Sequence, residues 1–148
     1  MDGTIVCSRH RYRTDDSGDR PKIDLAYWLA NEHKAYDDSL LPLAEQYKSD
    51  LVRESVFTII ATARVLAAPD RRFIRNKLGR PDAIVSRFNR ADTRSGADLK
   101  IAGLKKVFDR YGLHKAKKFF WEDNYTYLHK VCQAIGAKGY LVSSEQGW

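Results

Sequence analysis

At 148 residues with a net charge of +7, the chain is the size of one domain with one continuous core. Its field favours anionic partners, phosphorylated metabolites and nucleic acid alike. No apolar run approaches the roughly 20 residues of a membrane-spanning helix, and the N-terminus lacks the charged and apolar pattern of a secretory signal, which predicts a cytoplasmic protein.

In chain order, the segment from Cys7 to Asp37 is rich in Arg, Asp and Tyr, with turn signals at Ser17-Gly18 and Arg20-Pro21. A stretch this long between regular elements predicts a lid or cap-like insertion at about 7–37. Cys7 and Cys132 stand far apart outside any C-x-x-C or Cys/His ligand spacing, as plain thiols of a reducing compartment do. A helical pattern runs from Leu40 to Leu51. Val56-Phe57-Thr58-Ile59-Ile60 follows as a strand buried on both faces, as are Ala83-Ile84-Val85, Lys118-Phe119-Phe120-Trp121 and Gly139-Tyr140-Leu141-Val142. Between the strands lie helical patterns at Arg71 to Leu78, with Asp70 placed as its cap, at Leu99 to Tyr111, and at Tyr125 to Ile135. The second of these carries an apolar stripe at Ile101, Leu104, Val107, Phe108 and Tyr111. Gly79, Gly112 and Gly136 each follow a helical pattern, where a left-handed C-cap is expected.

Strands alternating with helices predict an α/β fold with right-handed crossovers and a mainly parallel sheet across one domain, residues 1–148. In such sheets ligands bind beyond the carboxyl ends of the strands. The residues there are Thr62-Ala63-Arg64, Arg87, Glu122-Asp123-Asn124 and Ser143-Ser144, all candidates for a shared site.

Met1-Asp2-Gly3-Thr4-Ile5-Val6 resembles the D-x-D-G-T motif of haloacid dehalogenase (HAD) superfamily phosphatases without its first aspartate. Ile60-Ala61-Thr62-Ala63-Arg64 is similar to the second motif, Lys100 to the third, and Trp121-Glu122-Asp123-Asn124 to the acidic fourth. These partial matches fall in the family's order, from Asp2 to Gly147. Asp92-Thr93-Arg94 with Asp98-Leu99-Lys100 resembles the 3′-phosphatase domain of phage polynucleotide kinase, although no P-loop and hence no kinase half is present.

The resemblance implies a Rossmann-like three-layer sandwich and a magnesium-dependent phosphomonoester hydrolase working through an aspartyl phosphate on nucleotides or nucleic-acid 3′-phosphates. Asp2 would be the general acid and base, Thr62 and Lys100 would hold the phosphoryl group, and Asp123, Glu122 and Asp2 would hold Mg2+. Arg11 and Arg13, in the lid run His10-Arg11-Tyr12-Arg13, join Arg64 and Arg94 as substrate-binding candidates, since cations interleaved with an aromatic ring suit a phosphate and a stacked base. The attacking aspartate of the family would stand immediately before Met1, so the chain as numbered is expected to be silent toward phosphomonoesters, by a truncated or misassigned start rather than as a natural pseudoenzyme. The alternative is a noncatalytic HAD-like module that binds nucleotides or nucleic-acid ends.

Overall fold

The computed structural model describes residues 1–143. Ser144 and the end of the resemblance at Gly147 lie outside the described residues.

The N-terminal residues fold into a tight turn. Gly3 takes a φ of 70°, a conformation that suits glycine, and the Met1 carbonyl accepts from the amides of Thr4, Ile5 and Val6. Strand β1 (Val6–Cys7) pairs antiparallel with β4 (Ser39–Leu40), in the register Val6↔Leu40 and Cys7↔Ser39. This clasp closes an excursion over the residues of the expected insertion, called the lid segment below. The excursion holds a short 3-10 turn (Arg9–Arg11), the antiparallel pair β2 (Thr14–Asp15) and β3 (Lys22–Ile23), helix α1 (Leu25–Ala30) and a second 3-10 segment (Glu32–Asp37). Helix α2 (Leu43–Leu51) leads out of it.

The remainder alternates as the sequence predicts. Strand β5 (Ile59–Val65), helix α3 (Ala68–Phe73) with a π-helical turn (Ile74–Leu78), β6 (Ala83–Arg87), α4 (Gly96–Tyr111), β7 (Phe119–Glu122), α5 (Tyr125–Ile135) and β8 (Lys138–Leu141) follow in order. β5 and β6 are parallel, with Ile59↔Ala83 and Ala61↔Val85 as partners, and so are β7 and β8, from Phe119↔Lys138 to Glu122↔Leu141. Among the described residues these are two separate two-stranded sheets, not the one mainly parallel sheet expected.

Side chains alternate across β5 as a strand requires. Ile60 joins a core of Met1, Ile5, Val6, Ala44, Leu66, Phe73, Ile74 and Leu78, while Ile59 and Ala61 pack against a second core of Val85, Leu99, Leu104, Phe108 and Val131. β5 is therefore covered on both faces, the layering of an α/β fold.

Two local expectations shift. β5 begins at Ile59 because Asp82 captures the start of the apolar run. Its carboxylate accepts from the Thr58 amide at 2.7 Å and the Thr58 hydroxyl at 3.1 Å, so Thr58 spends its donor there. Gly112 and Gly136 are left-handed caps with φ of 66° and 67°, but Gly79, after the π turn, has φ 96° and ψ 146°, a positive-φ conformation outside the left-handed helical region. Asp70 caps α3 by reaching back from the first turn to the Ala67 amide at 3.0 Å.

Candidate active site

The N-terminal turn and the carboxyl ends of β5 and β7 meet. The Met1 amino group is buried and donates to the Ala61 carbonyl of β5 at 3.4 Å, and the Thr4 hydroxyl donates to Asp123, just past β7, at 3.4 Å. Burial, helped by nearby Lys100, pushes the Met1 ammonium down to about 5, with Glu122 and Asp123 acting against it. The turn thus carries Asp2 into the midst of the expected motif residues.

Asp2 accepts from Ser8 Oγ at 3.0 Å and Arg64 Nε at 3.1 Å, and is ion-paired with the Arg64 guanidinium. Arg64 also donates to Asp70 at 2.5 Å and lies 3.5 Å from Asp38. Burial lowers the Arg64 pKa, and Asp70 opposes that shift. Thr62 is buried at the irregularity in the middle of β5, between Ala61 and Val65, and its oxygen accepts the Arg64 amide at 3.2 Å, a local side-chain-to-backbone bond. That bond uses a lone pair and leaves the hydroxyl proton as a donor.

At the end of β7, Glu122 is ion-paired with Lys100 from the first turns of α4, and both side chains are buried. Burial works against the Glu122 charge, but the adjacent ammonium outweighs it and holds the carboxyl below its usual value. Asp123 has the opposite fate. Burial, together with a hydrogen bond to Glu122 and its negative charge, pushes the Asp123 carboxyl up to about 6. The nearby Met1 ammonium lowers it only in part, whereas Glu122 is ion-paired with Lys100. Among the described residues no three His, Cys, Asp or Glu side chains form a ready-made metal cluster.

Asp2, Thr62, Arg64, Lys100, Glu122 and Asp123 are thus drawn together around the N-terminal turn. Three further candidates are engaged elsewhere. Arg11 is 1% exposed and pairs bidentately with Asp38 at 2.7 and 2.9 Å. Arg13 lies on the exposed lid surface, bonded to Asp24 at 2.8 Å. Arg94 folds back on Asp92 at 3.0 and 2.6 Å.

The structure adds residues that the sequence did not single out. Asp38 ties the lid to the site, because it accepts from Arg11 and His10 and approaches Arg64. Trp28, on α1, lies under both guanidinium groups, 4.3 Å from Arg11 and 5.3 Å from Arg64. Arg87 staples the loop before α4 to β5 through the carbonyls of Ala63, Asp92 and Arg94. Asp38 and Trp28 carry no motif signal, since their partners lie many residues away. Arg87 stood among the strand-end residues, but its stapling role had no signature.

The family model of the bacteriophage T5 5'-deoxynucleotidase matches residues 1–95. The chain belongs to this family. The name is that of a nucleotidase, a hydrolase of nucleotide phosphomonoesters. The match takes in Asp2, Thr62, Arg64 and the whole lid and ends before Lys100, Glu122 and Asp123. No curated protein and no solved structure matches the chain. No helix among the described residues is long and apolar enough to cross a membrane.

Proposed function

We propose that the chain is the body of a HAD-type, magnesium-dependent phosphatase that removes the phosphate of deoxynucleoside 5′-monophosphates. The observation that carries this reading is the convergence of Asp2, Thr62, Lys100 and Asp123 on one turn, in a chain whose family bears the name of a 5'-deoxynucleotidase. That name turns the reading from a 3′-phosphate to a 5′-phosphate.

In this reading Asp2, oriented by Arg64 and Ser8, passes a proton to the leaving nucleoside oxygen and later takes one from water. The Thr62 hydroxyl and the Lys100 ammonium face the phosphoryl oxygens, where charge builds in the transition state. In the HAD pattern the attacking carboxylate stands two positions before the counterpart of Asp2 and forms the aspartyl phosphate as the ester bond breaks.

Magnesium suits Asp123. The ion takes one or two protein carboxylates and fills its remaining positions with water and substrate phosphate, so an under-neutralised carboxylate at a strand end is a sufficient protein ligand. When bound, it neutralises phosphoryl charge. Glu122, already held by Lys100, then serves to position that lysine rather than to bind the ion.

The test is a substrate panel of deoxynucleoside 5′-monophosphates, 3′-monophosphates and 3′-phosphorylated oligonucleotides, offered to a chain extended at its N-terminus by an apolar strand ending in aspartate. Preferential hydrolysis of the 5′-monophosphates is expected. Saturable binding of nucleotides without release of phosphate would establish the binding-module alternative instead.

A further inference from the structure

Among the described residues β6 pairs with β5 alone and β8 with β7 alone, while the inner sides of β5 and β7 meet the N-terminal turn. The outer edges of β6 and β8 are therefore the ones open to a further strand. β8 is blunted by a lysine and a glycine, Lys138 and Gly139. β6 carries neither, nor a proline, and is apolar or small from Ala83 to Ser86. The Ala83 amide donates to the Thr58 carbonyl ahead of β5 at 3.3 Å, so by the alternation of a parallel ladder Ile84 and Ser86 turn their N–H and C=O groups outward. Alongside this edge a groove of about 440 Å³ runs between residues 81–84 and Lys106, Val107, Arg110 and Tyr111 of α4. Ile84 and Tyr111 are 38% and 44% exposed, and Phe88, just past the strand, is 90% exposed.

We infer that a partner polypeptide docks here by adding an extended, acidic segment to the edge of β6. The outward donors and acceptors of Ile84 and Ser86 match another peptide backbone, which is what strand addition requires. Alternate side chains of the added strand then point into the groove, where Val107 and Tyr111 offer apolar contact. Lys106 and Arg110 stand one turn apart on α4, and among the described residues neither has an ion pair. Asp82, at the mouth of the groove, is already bonded by the Thr58 amide and hydroxyl. The edge and the groove fix the place, and the two cations fix the charge of the occupant. A second copy of the chain fits less well, because β6 carries no carboxylate and a β6–β6 pairing would leave Lys106 and Arg110 unmatched. The groove lies at the starting ends of β5 and β6, whereas the candidate active site lies beyond the finishing ends of β5 and β7. Docking thus leaves that site open and does not depend on the proposed activity.

The probe is a fluorescein-labelled octapeptide of alternating valine and glutamate, followed by anisotropy, with a valine–lysine octapeptide as its counterpart. The acidic peptide should bind about tenfold or more tightly than the basic one, and hydrogen exchange at the Ile84 and Ser86 amides should slow in its presence. Lys106→Glu/Arg110→Glu should reverse the preference. Ser86→Pro removes an outward N–H at an edge position, where proline is tolerated, and should weaken the acidic peptide about tenfold. Circular dichroism melting checks that both variants fold, and the charge reversal carries the test by itself should Ser86→Pro not fold. Failure of the acidic peptide to bind the parent would overturn the inference. So would binding without slowed exchange at Ile84 and Ser86, or a folded Lys106→Glu/Arg110→Glu protein that keeps the original preference. Slowed exchange at both amides in the free protein, with a dimer in sedimentation, would overturn it in favour of a second copy.

Discussion

Lys100 and Glu122 form an ion pair with both side chains buried, the lysine at 6% exposure and the glutamate at 7%. The pair joins the start of α4 to the end of β7, and so sets the distance between two walls of the candidate site. Removing one partner strands the other charge out of water. Lys100→Met and Glu122→Gln should each cost about 3–5 kcal/mol in chemical denaturation, and the double variant should recover much of that loss. Additive losses in the double variant would show that the two groups do not act as a unit.

The lid depends on a second buried pair. Arg11 has its charge matched by Asp38, and Asp38 also approaches Arg64. Asp38→Ala should destabilise the protein by about 3–5 kcal/mol, whereas Arg13→Ala, at an exposed pair, should change stability by less than about 1 kcal/mol. Limited proteolysis should find the Asp38→Ala variant cut first between residues 8 and 38.

These pairs show what could be read from the sequence. The order of strands and helices from β5 onward was legible because apolar periodicity and glycine caps are local signals. The positions of Thr62 on β5, Lys100 on α4 and Asp123 just past β7 could be read in the same way, whereas their roles belong to the proposed function. Arg11 was misjudged as free to meet substrate, because a sequence shows an arginine's charge but not a carboxylate that folding brings against it. The one parallel sheet is two pairs, β5 with β6 and β7 with β8, and the N-terminal turn lies between them, where the resemblance puts the strand of the first motif.

Packing of α4 on β6 rests on Gly103, where an added methyl group would run into Val85. Gly103→Ala gains helix propensity, but the neighbouring strand must shift to admit the methyl group. A net loss of about 1–3 kcal/mol is expected in thermal or chemical unfolding. A stabilised Gly103→Ala protein would mean that α4 and β6 are further apart than described.

Asp92 offers a test of the loop before α4. Its hydrogen bonds from the Arg94 guanidinium hold the carboxyl down to about 2, against an ordinary value of 3.8. A lowered acid pKa contributes stability above the unfolded value, and that contribution fades as pH falls from about 4 toward 2. In Arg94→Gln the NMR titration midpoint of Asp92 should move back up toward 3.8. An unmoved midpoint would show that Arg94 is not its principal partner.

Thr62 should matter to rate far more than to fold. Thr62→Val keeps the shape of a small buried side chain and removes the hydroxyl that the proposed mechanism turns toward the phosphoryl group. In an N-terminally extended, active chain the turnover number should fall by about 10²–10³.

The most direct measurement is magnesium-dependent phosphate release from a deoxynucleoside 5′-monophosphate by that extended chain, run beside its Asp123→Asn variant. The account predicts that the substitution abolishes turnover at ordinary magnesium while the protein stays folded, because Asp123, unlike Glu122 with Lys100, has no ion pair with a side chain among the described residues. Undiminished turnover by folded Asp123→Asn would contradict it.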